Sequence, residues 1–182
     1  GLSSHELNQP GCYRDVKDTT ATALFEVDTK QDTDPDVPLT YFMAWTTTPW
    51  TLPSNTALCV GPDIRYVKVL TLNPYTGDPI RVILAKDLIP SYFDPSMEGV
   101  DVAKYQSGDK KIPYQVEAEF TGKDLEGMRY KQLIDWVKPE GDAFRVITGD
   151  FVTTEDGTGI VHIAPTFGAD DARVGKQSGI AP

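Results

Sequence analysis

Eight short runs of β-branched and aromatic residues recur between turn signals along the chain, at 22–27, 39–47, 57–60, 66–72, 80–85, 114–120, 144–148 and 159–163. Their lengths and their glycine, proline and acidic boundaries predict strands. The stretch 73–79, Asn-Pro-Tyr-Thr-Gly-Asp-Pro, predicts a hairpin connection between two of them. At 151–156 an apolar pair followed by Thr-Thr-Glu-Asp predicts a strand end entering a tight turn at Gly157. Helical patterning is thinner. Residues 86–93 predict a short helix interrupted by Pro90, 100–106 another, and 170–177 a third that Asp170 caps and Gly179 ends. The expected fold is mainly β, compact and barrel-like, with short peripheral helices. With no internal repeat or low-complexity linker, residues 1–182 read as one domain.

Composition narrows the class. At 182 residues, 40% hydrophobic and 24% charged, the chain resembles an ordinary soluble globular protein. No apolar run approaches the roughly 20 residues that span a bilayer. A charged start leading into an apolar signal core is also missing, so a monomeric fragment of a cytoplasmic protein is the expectation. Cys12 and Cys59 read as reduced thiols, with a single bridge as the alternative. A net charge of −10 argues against a large basic surface wrapping duplex nucleic acid. The acidic run 31–36 lacks the spacing and closing glutamate of a calcium loop and reads as a surface turn; no metal site is expected.

Two strings carry the candidate chemistry. In Trp45-Thr46-Thr47-Thr48-Pro49-Trp50-Thr51-Leu52-Pro53-Ser54-Asn55, strand alternation sends Thr46 and Thr48 to one side and Thr47 to the other. This is either a β-propensity run ended by Pro49 or a row of hydroxyls for a substrate, with Trp50 as a wall and Asn55 both donating and accepting. The second string, Gly157-Thr158-Gly159-Ile160-Val161-His162-Ile163-Ala164-Pro165, runs on to Asp170 and Asp171. His162 lies in a buried strand, as a satisfied structural group or as part of a rim shared with the aspartates. Both aspartates suit a helix N-terminus, and one of them suits a substrate ammonium; the cap is assigned to Asp170 and the ammonium to Asp171. Nucleophile-elbow, phosphate-loop and paired-histidine metal patterns are absent from the sequence.

Taken together, the two strings resemble the editing domain (connective peptide 1) inserted in isoleucyl-tRNA synthetase. The segments 13–18 and 120–127 are similar to further parts of it, so the resemblance covers nearly the whole chain. Leucyl and valyl relatives usually carry Thr-Thr-Arg-Pro at the first string, so Thr48 and Trp50 favour the isoleucyl branch. Many members have Gly-His-Gly where this chain has Thr166-Phe167-Gly168, so no second histidine stands there. The resemblance implies hydrolysis of valine wrongly attached to tRNA(Ile), a valyl- or leucyl-type editing domain or a non-catalytic module for the aminoacylated tRNA 3′ end being the alternatives. It implies that Asp171 holds the amino group, that Thr46, Thr47, Thr48 and Asn55 surround the ester and terminal adenosine, and that His162 bounds the amino-acid pocket. Its partners are the aminoacylated 3′ end of tRNA(Ile) and the remaining synthetase domains. No cofactor is implied for editing. ATP and Mg belong to the synthetic domain, whose signatures His-Ile-Gly-His and Lys-Met-Ser-Lys-Ser this chain lacks.

Overall fold

Period-two patterning places apolar residues on both faces of the central strands, and the structure uses both. A computed structural model describes residues 19–28, 37–106, 108–135 and 141–180. It contains β1 (Ala21–Glu26), β2 (Thr40–Thr46), β3 (Ala57–Val60), β4 (Arg65–Leu72), β5 (Pro79–Ala85), β6 (Gln115–Thr121), β7 (Arg145–Thr148) and β8 (Ile160–Ile163). Along β5, Val82 and Leu84 enter one hydrophobic cluster while Ile83 and Ala85 enter another. Likewise Leu58 and Val60 of β3 face the central core, and Ala57 and Cys59 face a third cluster with Val174 and Ile180. Burial on both faces explains why these strands read as continuous apolar runs rather than alternating ones.

All eight strands join one curved, half-barrel sheet in the order β6-β4-β5-β2-β8-β3-β7, with β1 added to β2. β2 is the junction. One side pairs antiparallel with β1, Thr46 opposite Ala21. On its other side, the first half runs parallel to β5 over Thr40–Phe42, and Trp45 then lies parallel to Val161 of β8. β8 pairs antiparallel with β3, putting His162 beside Leu58. At the far end β6 is the least buried strand, and charges occupy it: Arg65 and Lys86 pair with Glu119, and Arg81 pairs with Glu117. Charged side chains on an outer strand discourage pairing with other chains.

The helices are short. A 3₁₀ turn at Lys86–Leu88 leads into α1 (Ile89–Tyr92), where Pro90 sits in the first turn instead of interrupting the helix, because no intrahelical N–H is required there. The expected helix at 100–106 is a 3₁₀ turn, Val102–Lys104, started by the Asp101 carboxylate accepting from Ala103 N–H. α2 (Gly122–Leu125) begins where Asp124 accepts from both the N–H and the hydroxyl of Thr121. α3 (Ala169–Gln177) is the longest, and Gly179 follows its end with φ of 70°. The hairpin at 73–79 forms as expected, Asn73 Oδ1 accepting from Tyr75 and Thr76 N–H. No strand forms at 151–156; that stretch is turn and bend, anchored by buried Val152. Among the described residues, no helix is long and apolar enough to cross a membrane. The acidic run 31–36 and Cys12 lie outside the described residues.

Candidate functional site

β2 stops at Thr46, and the chain turns into a six-residue 3₁₀ helix, Pro49–Ser54. Thr48 occupies the N-cap position and Pro49 the first helical one, where a missing N–H costs nothing. The turn gathers hydroxyls. Thr46 Oγ1 accepts from Thr48 N–H at 3.0 Å and lies 3.2 Å from Thr48 Oγ1, which is 3.1 Å from Thr51 Oγ1. Thr51 Oγ1 donates to the Thr48 carbonyl at 2.8 Å and meets His162 Nε2 at 2.9 Å. Thr46 and Thr48 therefore share a side, as strand alternation predicts, while Thr47 is exposed.

On the other edge of the imidazole, Asn55 Nδ2 contacts His162 Nδ1 at 2.8 Å and donates to the Ala57 carbonyl at 2.9 Å. Asn55 Oδ1 accepts from the Tyr130 hydroxyl at 2.5 Å. These partners fix the protons. A carbonyl only accepts, so the Asn55 nitrogen faces Ala57, and the same amide donates to Nδ1. His162 is then protonated at Nε2 and donates to Thr51, whose own proton is already on the Thr48 carbonyl. By the same count Thr48 donates to Thr51 and Thr46 donates to Thr48. Lone pairs on Thr46 and Thr48 are what this row has left to offer, which suits an ammonium, a ribose hydroxyl or a water as donor. Burial pushes the His162 pKa down to about 4, opposed only partly by its bond to Thr51. The imidazole is neutral near pH 7.

The glycine turn before β8 locks the strand. Gly159 has φ of 74°, and a Cβ there would fall 2.5 Å from Ala85 Cβ, so a side chain has neither the conformation nor the room. Its carbonyl accepts from the buried Tyr66 hydroxyl at 2.6 Å. Past β8, Asp171 in the first turn of α3 reaches back to accept from Ala164 N–H at 2.9 Å through Oδ2. Ala164 is two residues beyond His162. Burial raises the Asp171 pKa, the Ala164 bond lowers it, and the neighbouring Asp170 charge raises it. Gly168 stands over this carboxylate: a Cβ on it would approach Asp171 Oδ1 to 3.4 Å.

The expected site residues thus divide. Thr46, Thr48, Asn55 and His162 form one network, which Thr51 and Tyr130 complete. Asn55 spends its amide on protein partners, and His162 is 5% exposed. Trp50 is 65% exposed, projecting outward from the turn, and Phe167 is 62% exposed. Asp170 is not the helix cap: Gly168 takes that position, and Asp170 lies within the first turn. The physical reason is that Gly168 already adopts the extended backbone a cap needs, so the helix starts one residue earlier. Sequence reasoning missed Thr51, although Thr48-Pro49 signals a helix start that turns position 51 inward. Tyr130 gave no local signal. A cavity of about 440 Å³ lies elsewhere, between the start of β2 and the 73–79 hairpin, lined by Leu39, Tyr41 and Ile80 among others. Among the described residues, no three His, Cys, Asp or Glu side chains converge to hold a metal ion.

Comparison with known proteins places this geometry. No protein-family model matches the chain. The whole chain aligns with isoleucine–tRNA ligase of Porphyromonas gingivalis at 63% identity and of Bacteroides fragilis at 62%, covering 16% of either relative. Across a longer distance, 98% of the chain is 42% identical to 14% of the Clostridium tetani isoleucine–tRNA ligase. The chain thus spans about a sixth of the length of the curated relatives it matches. Among solved structures it is similar to the P. knowlesi cytosolic leucyl-tRNA synthetase editing domain, with a TM-score of 0.60 at 11% identity over 88% of this chain and 64% of that one. A second similar structure, GlLeuRS-CP1, also has a TM-score of 0.60, at 17% identity over 87% of this chain and 60% of that chain. At such identities the structures show a common fold, while the sequence relatives carry the isoleucyl relationship. The chain belongs to the isoleucine–tRNA ligase family, as a segment with the fold of the synthetase editing domain.

Proposed function

We propose that this domain hydrolyses the ester of mischarged valyl-tRNA(Ile), with the rest of the synthetase delivering the aminoacylated 3′ end. The observation that carries the reading is the closed, neutral network of Thr46, Thr48, Thr51, His162 and Asn55, two residues along the chain from the backbone N–H that Asp171 holds. The network supplies acceptors and no nucleophile. The Cys59 thiol is buried and pushed up to about 12, chiefly by that burial, so it does not attack. His162 is not a base toward substrate, because Asn55 occupies its lone pair on Nδ1.

An ester is already activated, so positioned water suffices. Thr48 and Thr46 lone pairs orient that water or the ribose hydroxyl, and exposed Thr47 adds a hydroxyl donor for the developing oxyanion, a contact typically worth on the order of 3 kcal/mol. Asp171 holds the ammonium through the oxygen not bonded to Ala164. A second selection is needed chemically, since one methylene gives a hydrophobic pocket only about 1–3 kcal/mol of discrimination. The test compares deacylation of valyl-, threonyl- and isoleucyl-tRNA by wild type and Asp171→Ala. Valyl-tRNA(Ile) is hydrolysed fastest and the variant is impaired; rapid hydrolysis of isoleucyl-tRNA, or binding without turnover, overturns the assignment.

A further inference from the structure

We propose that Tyr130 is a positioning residue of this site: its hydroxyl pins Asn55 Oδ1 from within the core, holding the amide nitrogen against His162 Nδ1 and so keeping Nε2–H on Thr51. The role in hydrolysis rests on the function proposed above; the orientation itself does not. Tyr130 lies outside the two strings, in the segment between α2 and β7, 75 positions from Asn55.

Its placement is rigidly determined. The ring is 3% exposed and meets Phe25 edge-on at 5.3 Å and Phe144 at 6.0 Å. Its N–H donates to the Phe144 carbonyl, and the Phe144 N–H donates to the Thr56 carbonyl at 2.7 Å, next to Asn55. Phe144 has φ of 61°, a left-handed conformation that a bulky residue adopts only when its surroundings impose it. The ring alone would fill this space equally well as phenylalanine. A buried hydroxyl is stable only with a partner, and this one is aimed at the single Asn55 atom that the amide nitrogen's two bonds leave unsatisfied.

Removing the hydroxyl leaves Oδ1 buried without a donor. With its nitrogen kept on the Ala57 carbonyl, the amide is no longer pinned at its oxygen, its N–H to Nδ1 loosens, and the freed lone pair favours a proton on Nδ1, either in the imidazolium or in the other tautomer. The polar groups facing the imidazole are Thr51 from the 3₁₀ turn and Asn55 ahead of β3, while Asp171 of α3 is engaged at Ala164. The order of donors through Thr51, Thr48 and Thr46 depends on Nε2 keeping its proton. Tyr130 thereby sets which atoms of the threonine row are left as acceptors.

The experiment is nitrogen-15 NMR of the imidazole in a His5→Gln background, with and without Tyr130→Phe, alongside deacylation kinetics of the same proteins. In the parent, His162 is neutral and Nε2-protonated at pH 7. In Tyr130→Phe its proton affinity rises about tenfold, an Nδ1-protonated form appears, and kcat falls about tenfold with KM changed less than about threefold. A folded variant with unchanged tautomer and titration overturns the inference. So does a parent protein whose imidazole is protonated on Nδ1, or whose Tyr130 hydroxyl proton exchanges freely with solvent, and these two readings need no variant to fold. The imidazole signature is read whether or not the ester is hydrolysed, so a parent with that signature and no deacylase activity sinks the functional proposal alone.

Discussion

Thr47 and Thr51 lie four positions apart, and their surroundings assign them opposite duties. Thr47 is exposed at the end of β2, whereas Thr51 is buried between Thr48 and His162. Thr47→Ala is expected to leave stability within about 0.5 kcal/mol while slowing deacylation, and Thr51→Val to cost on the order of 1–3 kcal/mol by stranding buried partners. Urea unfolding paired with deacylation rates separates the two; equal stability losses would count against the division. His162 adds a pH dependence. Its folded pKa of about 4 lies below the ordinary 6.5, so the unfolded chain binds the proton more readily. Its contribution is full above about pH 6.5 and is lost as pH falls toward 4, on the order of 3 kcal/mol in all. Asp171, with a raised pKa, acts in the opposite direction. A His162→Gln variant keeps Asp171, so its flatter stability profile between pH 6.5 and 4 isolates the imidazole; an unchanged slope would contradict the assignment. At this scale the sequence was partly legible. Residue type and alternation pointed to Thr46, Thr48, Asn55 and His162, but Tyr130 matters only through a contact 75 positions away, which no local pattern encodes.

At the level of elements, each of the eight predicted runs became a strand with ends within one residue, because pleated strands, above all the central ones buried on both faces, concentrate β-branched and aromatic residues. The stretch 151–156 failed for the same reason in reverse: Val152 is buried by a turn, and one buried apolar residue does not make a strand. α2 was missed because four residues are too few to show a helical period. The two glycine turns give a direct test of what fixes β8. Gly77 has φ of 77° with open space around its missing Cβ, whereas Gly159 has a similar φ and faces Ala85 at 2.5 Å. Gly77→Ala should cost about 1–2 kcal/mol from backbone strain alone. Gly159→Ala should cost about 1–3 kcal/mol more through overpacking. Equal midpoint shifts in denaturant would show that the Ala85 contact carries no energetic weight.

For the whole molecule, strand order was not legible, because pairing between β2 and both β5 and β8 depends on long-range closure rather than on local pattern. Charge was legible and constrains how the domain meets a polyanion. With a net charge of −10, the chain by itself should bind unacylated tRNA weakly, through few phosphate contacts. Submicromolar binding measured by filter retention or anisotropy would contradict this. One bond described above also has a temporal meaning. Thr51 and His162 are 111 positions apart, so the threonine turn has no imidazole to receive until the long stretch between them has been synthesised and closed upon itself. A partly folded chain holds the hydroxyls without the histidine that orders them, and the ordered row of acceptors arrives together with β8 rather than growing by degrees.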